Sequence, residues 1–424
     1  MAVITTSGYD SLVTDSANSA SAYATGHKSV NNAMGVYANS TKDPFDDPKV
    51  ENIIELVKRT KGMATGIVST ANITDATPAA MLSHTRRRAE QNFIAETMTE
   101  DYHRPDVIMG GGSRHFIPMN VPGSKRKDNV NVVEQFKDLG YTFSGNRTEL
   151  LNTPADEDKI LGLYQLDNMN VYIDRAMLKN PKVLGGFNDQ PGLVEMTQRA
   201  IDTLSKNENG FFLMVEGGKI DWACHSNDAA TVFHEVMDMD NAIKVAYEFY
   251  EQHPDETLIV VTADHETGGI VLGKGPYTLN LQALKSQKVS ESGYTKIVNE
   301  LRKKYKNQVP WEVIKQSLKD NFGFWDSIQL NEKQEASLKK VYDESFSGKE
   351  IDLTKSEYQQ DEPLAAEAKR ILDDIALVGW TSGGHSGGYV PVFAIGAGAQ
   401  LFQGRIDNTE IPVKIAEAAG YPNN

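Results

Sequence analysis

Five short apolar runs, rich in β-branched residues, constrain this chain most. They are Ala64–Thr70, Val107–Gly112, Phe211–Gly217, Thr257–Asp264 and Val390–Gly396, and each ends in polar or glycine-rich sequence. Unbroken apolar runs of this length, without alternation, read as strands buried on both faces. Between them lie segments with apolar residues at helical spacing, such as Val50–Lys61, Gly192–Lys206 and Ala229–Gln252. Strands alternating with helices predict an α/β three-layer sandwich, a mostly parallel central sheet with helices on both faces. In such sheets functional groups gather just beyond the carboxyl ends of the strands.

Residues 275–378 depart from that pattern. They are rich in Lys, Glu, Gln and Ser, with amphipathic stretches at Tyr294–Tyr305 and Glu362–Leu377, and they predict a helical insertion or cap. The catalytic core is then 1–274 with 379–424. Residues 113–186 read as a long irregular excursion with helices. No strand is expected in the fifteen residues ahead of Ser16.

Charge narrows the partners. With 43 basic and 58 acidic residues the net charge is −15, which argues against nucleic acid, whose phosphates need basic stripes. Bound divalent cations would reverse the sign locally, so a small phosphate substrate stays compatible. The single cysteine, Cys224, allows no intrachain disulfide and reads as a small buried hydrophobe. No apolar run reaches the length of a membrane span. The opening MAVITTSGYDSLVTDS has no basic region before an apolar core, so no signal peptide is expected there.

The expected strand ends carry a distinctive set of side chains. Asp75 and Thr77 follow the first run, with Arg88 beyond them; Glu216 closes the third, with Asp221 and His225 after it. Asp264 and His265 follow the fourth, and His385 sits among glycines before the fifth. Asp221 and His225, four apart, share a face on one helical turn. Imidazole with carboxylate suits a zinc site that keeps a position open. The oxygen donors Thr77, Glu216 and Asp75 suit magnesium. Ser16, after Asp15 and before a run of Ala and Ser, is a hydroxyl at an expected helix start, where free N–H groups favour an anion. It needs activation to act as a nucleophile. His84 is expected to pack or hydrogen-bond near the site without ligating. His27, His103, His115, His234 and His253 read as structural or surface residues, and Arg302-Lys303-Lys304 as a solvated helix face.

Several motifs, in order, carry a resemblance to a family. VTDSANSASAYATG surrounds Ser16, STANITDATPAAMLSHTRRR spans Asp75 to Arg88, and VEGGKIDWACH runs from Glu216 to His225. VTADHETGG holds Asp264 and His265, TSGGHSGGYVPVFAIGAGAQLFQG holds His385, and DVIMGGGSRHF lies between. From about residue 11 to about 420 the chain resembles the alkaline phosphatases, particularly the Bacillus-like bacterial members.

The resemblance implies hydrolysis of phosphate monoesters by double in-line displacement, with a phosphoserine on Ser16 and a phosphate clamp at Arg88. It implies two zinc ions, one on Asp221, His225 and His385, the other on Asp264, His265 and the Ser16 oxygen. One magnesium falls to Thr77 and Glu216, with Asp75 orienting a water on it and Trp222 tuning metal affinity. It also implies export and a possible homodimer. Family members carry a further aspartate, bridging the second zinc and the magnesium, at the end of a first core strand ahead of the serine motif. Asp10 lies too close to Ser16 for that role, so this chain is expected to lack the strand and its aspartate. The alternatives are a chain that binds metal or phosphate with little turnover, and a phosphodiesterase or sulfatase relative.

Overall fold

The computed structural model describes residues 1–37, 41, 43–346, 354–355 and 360–422. The expected α/β class holds. A parallel sheet is ordered β4-β5-β3-β2-β6. Its strands are β2 (Ala64–Asn72), β3 (Val107–Gly111), β4 (Thr142–Ser144), β5 (Ile160–Leu163) and β6 (Phe211–Glu216). Every residue of β2, β3 and β5 is buried, as expected for strands with helices on both faces. One face carries α1 (Ser16–Thr25), α2 (Ile53–Lys61), α3 (Ala76–Ala80), α4 (Gln91–Thr97) and α5 (Val132–Asp138). Its core includes Ile67, Ile108, Leu161 and Phe116. The opposite face buries Val68, Met109 and Ile160 against α8 (Leu193–Leu204) and Ala242 of α10 (Ala229–Gln252). The short helices α6 (Arg147–Asn152) and α7 (Pro181–Leu184) complete the 113–186 region, and α9 (Lys219–His225) follows β6.

Two expectations are corrected. Residues 113–186 are more than an irregular excursion with helices, because β4 and β5 extend the main sheet. Their sequences, TFS and ILGL, are too short to stand out from a helical or irregular background. A strand does form ahead of Ser16: β1 (Ala2–Thr5) lies between β14 (Val390–Gly396) and β15 (Gly404–Asp407). Four residues are a weak local signal, and the strand is made by partners almost four hundred residues away. It is antiparallel to β14 and parallel to β15.

A second sheet therefore runs β15-β1-β14-β7, with β7 at Leu258–Val261 antiparallel to β14. Its edge β7 and the edge β6 of the parallel sheet each lack a strand partner on one side among the described residues. All residues of both strands are partly exposed. α10 backs both: Phe211 of β6 and Phe249 of α10 make an edge-on ring pair at 5.5 Å, and β7 lies against the same helix. The edge strands of the two sheets thus share one backing helix.

Beyond β7 come the two-residue strands β8 (Glu266–Thr267) and β9 (Val271–Leu272). Then follow α11 (Glu291–Lys304), α12 (Trp311–Phe322), α13 (Glu332–Ser345), a small hairpin of β10 (Thr354–Lys355) and β11 (Gln360–Asp361), and α14 (Pro363–Ala376). These helices bury Tyr294, Ile314, Phe322, Phe324 and Leu372 in a cluster of their own, seated on Ala229 and Ala230 of α10. Parts of the 275–378 segment, 347–353 and 356–359, lie outside the described residues. Arg302 is not a solvated residue: its guanidinium donates to the buried Glu362 carboxylate at 2.7 Å and to the Ser345 carbonyl at 3.0 Å. The chain returns through β12 (Val378–Gly379), paired with β9, and β13 (His385–Ser386), paired with β8, and ends on α15 (Glu410–Ala418).

Candidate metal centre and phosphate site

Ser16 is the first residue of α1, and Asp15, in extended conformation, caps that helix by accepting the Asn18 N–H at 3.0 Å. The small side chains of α1 are nearly all buried, so the helix sits tightly against α3 and the loop after β7. Ser19 Oγ donates to the Asp264 carbonyl at 2.6 Å and Tyr23 to the Ala263 carbonyl at 2.7 Å. These bonds fix the nucleophile candidate relative to the end of β7. Ser16 Oγ lies 2.8 Å from His265 Nε2.

Three imidazoles converge there. The His265 and His385 rings stack with centroids 3.7 Å apart, and His225 and His385 lie at 4.9 Å. Their protonation follows from their partners. A carbonyl only accepts, so His225 Nδ1 donates to the Gly383 carbonyl at 2.7 Å and His385 Nδ1 to the Thr14 carbonyl at 2.8 Å. Thr267 donates its hydroxyl to Asp221 and accepts from His265 Nδ1 at 3.1 Å. Each Nε2 then presents a lone pair inward. His225 Nε2 and His385 Nε2 stand 3.1 Å apart, with Asp221 oxygens 3.4 and 3.8 Å away. Asp264 Oδ2 is 3.2 Å from His265 Nε2. Lone pairs and carboxylates facing one another so closely need a cation between them, and ring N–H groups held by carbonyls are the usual support of metal-binding imidazoles. The residues fit a metal.

The carboxylates divide by environment. Burial would raise the Asp221 carboxyl, but the facing His225 and His265 imidazoles and the Thr267 hydroxyl outweigh it and bring the pKa down to about 2. Glu216, at the end of β6, is pushed up to about 8 by burial, against hydrogen bonds from Ser69 and Thr77. Neighbouring Asp264 and Asp75 push in the same direction as burial. An enclosed acid of this kind ionises readily only beside a cation, and Thr77 adds a second hard oxygen. Burial lowers the His385 pKa, with repulsion from His265 adding to it, which favours the neutral, ligating form.

Arg88 reaches the site from the loop after α3. Its Nη1 donates to Asp15 Oδ2 at 3.2 Å and its Nη2 to Asp75 Oδ1 at 2.9 Å, so two carboxylates hold the guanidinium beside Ser16. Asp75 also caps α3 through the Ala76 N–H. Trp222, between Asp221 and His225, carries the Lys219 ammonium 3.9 Å from its ring centroid. Burial pushes the Cys224 thiol up to about 12, and Asp221 adds to it, so it behaves as the expected hydrophobe.

Every site residue singled out in the sequence therefore falls within one region at the carboxyl ends of β2, β6 and β7. Sequence reasoning missed Asp15, which links Ser16 to Arg88, and Thr267, which joins His265 to Asp221. Asp15 stood beside Ser16 in the quoted motif and Thr267 two residues after His265; each reads only as an ordinary turn residue until its partner is placed.

The family model described as alkaline phosphatase matches residues 1–421. Alkaline phosphatase 3 of Bacillus subtilis (strain 168) is 34% identical over 424 aligned positions, covering 96% of this chain and 78% of that protein. The crystal structure of a cold-active alkaline phosphatase from the psychrophile Shewanella sp. superposes with a TM-score of 0.78 at 33% identity, covering 100% of this chain and 90% of that one. A mutant of the alkaline phosphatase TAB5 with Mg bound in its M3 site matches at TM-score 0.64 and 26% identity, over 100% of this chain and 88% of that one. The class is that of the phosphoric monoester hydrolases. The chain belongs to the alkaline phosphatase family, which is metal-dependent. No described helix is long and apolar enough to cross a membrane.

Proposed function

We propose that this chain hydrolyses small phosphate monoesters through a phosphoserine on Ser16. The observation carrying the reading is the Ser16 hydroxyl, 2.8 Å from His265 Nε2 where three imidazole lone pairs converge. Asp221, His225 and His385 would hold one zinc, Asp264, His265 and Ser16 a second, and Thr77 with Glu216 a magnesium. Bound there, these ions supply Lewis-acid stabilisation of the charge that builds on the attacking and leaving oxygens.

The chain's own groups do the rest. Arg88, braced by Asp15 and Asp75, offers its planar fork to two phosphoryl oxygens. Ser16 Oγ forms a bond to phosphorus as the ester P–O bond breaks, and the alcohol leaves with a proton. Water then attacks phosphorus from the vacated side, the Oγ–P bond breaks, and inorganic phosphate leaves with the serine hydroxyl restored. Asp15 sets the α1 start and Ser19 and Tyr23 anchor it, so the hydroxyl keeps its line of attack. Asp75 would orient a magnesium-associated water, and Trp222, under Lys219, would tune metal affinity.

The resemblance implies a further aspartate bridging the second zinc and the magnesium, and Glu216 and Asp264, at the carboxyl ends of β6 and β7, are the residues it would stand beside. The 275–378 helices are then a cap on the core, and export and a homodimer follow the family.

The test is hydrolysis of a chromogenic phosphate monoester, with diester and sulfate esters alongside, with and without zinc and magnesium. It is run on this chain and on the chain extended by an aspartate-bearing strand. Metal-dependent monoester turnover, higher in the extended chain, is expected. Preference for the diester or sulfate, or zinc binding with no turnover in either form, overturns the reading.

A further inference from the structure

A second group of imidazoles and carboxylate lies away from Ser16, under the loop that leads to Arg88. Glu55 of α2, His84 and His103 are all buried, and one atom of each lies within 4.8 Å of the other two. Nothing in the proposed reaction uses them.

His84 Nδ1 faces the Gly35 carbonyl at 2.7 Å, so that nitrogen carries the proton and Nε2 turns a lone pair toward Glu55 Oε1, also at 2.7 Å. His103 Nε2 donates to the Thr97 carbonyl, leaving Nδ1 facing the same Glu55 oxygen at 3.5 Å with no hydrogen bond of its own. The other Glu55 oxygen is committed to the capping box of α2, accepting the Asn52 N–H at 2.8 Å. One carboxylate oxygen and two imidazole nitrogens thus point at a common spot with no permanent donor among them. At least one cation, a proton or a metal, must sit there. The 2.7 Å contact is the length of a shared proton, and the 3.5 Å contact is not.

The surroundings are those of a metal site. Both rings are oriented by backbone carbonyls through their outer nitrogens. Gly35 gives His84 its approach: at φ +58°, a Cβ there would come within 2.7 Å of His84 Nδ1 and 3.0 Å of the Ser83 carbonyl. The Tyr102 ring covers the pair, 4.1 Å from the His103 centroid and 6.5 Å from that of His84, and its hydroxyl takes the Lys49 ammonium at 2.9 Å. Two imidazoles with one carboxylate match the donor set of zinc, not of calcium or magnesium.

We propose that Glu55, His84 and His103 form a structural zinc site, separate from the catalytic cluster. The ion takes Glu55 Oε1, His84 Nε2 and His103 Nδ1 and releases the shared proton to solvent. It clamps together α2, the turn at Gly35, the end of α4 and the segment leading to Arg88. The Gly35 N–H is itself bound by Ser21 of α1 at 2.9 Å, so the clamp also reaches the nucleophile helix.

The test needs no turnover, so its failure is distinct from failure of the phosphatase reading. In a variant with His225→Ala, His265→Ala and His385→Ala together, the catalytic imidazoles are gone and excess magnesium fills the oxygen-only site. Native mass spectrometry with zinc then reports folding, from the charge states, and bound zinc, from mass, in one spectrum. One zinc per folded chain is expected, and its loss on adding Glu55→Gln or His103→Gln. No zinc in the triple variant, or zinc retained after both additions, overturns the site. As an arm independent of those additions, the cobalt-loaded triple variant is expected to show two hyperfine-shifted imidazole N–H resonances, from His84 Nδ1 and His103 Nε2. Their absence shows that the pocket holds a proton only.

Discussion

The two histidine–carboxylate clusters are built by one rule and differ in what surrounds them. In both, backbone carbonyls fix outer ring nitrogens and leave inner lone pairs to converge. The cluster at Ser16 sits at the carboxyl ends of strands, with Asp221, Asp264 and Ser16 only partly covered and a guanidinium held beside it. The cluster at Glu55 is closed on every residue and has neither hydroxyl nor arginine within it. The same donors thus suit chemistry where a substrate can enter and an Oγ can attack, and cross-linking where the ligands are buried away from any substrate. Ligand type alone does not separate a catalytic metal centre from a structural one; access and a neighbouring nucleophile do.

The comparison breaks first at the nucleophile. Ser16→Ala is expected to lower kcat by roughly 10⁴-fold or more while leaving the melting temperature unchanged, since it removes the proposed nucleophile. A steady-state assay beside a thermal melt checks this, and a variant that keeps substantial turnover would place the nucleophile elsewhere. In the closed cluster the expected effect is on stability. His84→Ala strands Glu55 in the interior and should cost about 3–5 kcal/mol in denaturant unfolding, with kcat of the folded fraction preserved. Activity lost without loss of stability would merge the two clusters into one site.

Smaller effects sharpen the contrast. Arg88→Lys keeps the charge but not the fork, and should lower kcat/KM by about 10²-fold, chiefly through KM. Thr267→Val removes the hydroxyl joining His265 to Asp221, and should weaken zinc affinity by roughly 10–100-fold, with activity recovered at high zinc. The two glutamates should titrate in opposite senses in chelated protein. Burial holds Glu216 up at about 8, above the usual 4.5, so the stability tied to its protonated form is full below about 4.5 and lost as pH rises through about 8. Burial would raise Glu55 as well, but the facing His103 and His84 imidazoles bring it down to about 2, so its contribution is full above about 4.5 and lost as pH falls toward 2. Unfolding midpoints across pH should flatten on the alkaline side in Glu216→Gln and on the acid side in Glu55→Gln; superimposable curves would contradict both assignments.

Much of this was legible in the residues. The strand expected over Ala64–Thr70 declares itself through an unbroken apolar, β-branched run and forms as Ala64–Asn72, and the long helix Ala229–Gln252 shows through its period. The site residues were legible because their motifs sit at strand ends, where an α/β sheet collects its chemistry. What escaped depends on partners far along the chain. Ala2–Thr5 becomes a strand only between Val390–Gly396 and Gly404–Asp407. Arg302 reads as one charge in a basic run until Glu362 is placed against it. His84 reads as a neighbour of the Ser16 site and His103 as a structural or surface residue, because they lie nineteen positions apart and Glu55 is on another helix. Asp15 and Thr267 acquire roles only through Arg88 and Asp221.

The central claim is that Ser16 is the atom donor that attacks phosphorus. It is tested most directly by incubating the metal-loaded protein with inorganic phosphate at mildly acid pH, quenching in acid, and mapping the modified peptide by tandem mass spectrometry. A single phosphoryl group on Ser16, absent from Ser16→Ala, is the predicted result. Phosphate on another residue, or turnover with no phosphorylated peptide, would contradict it.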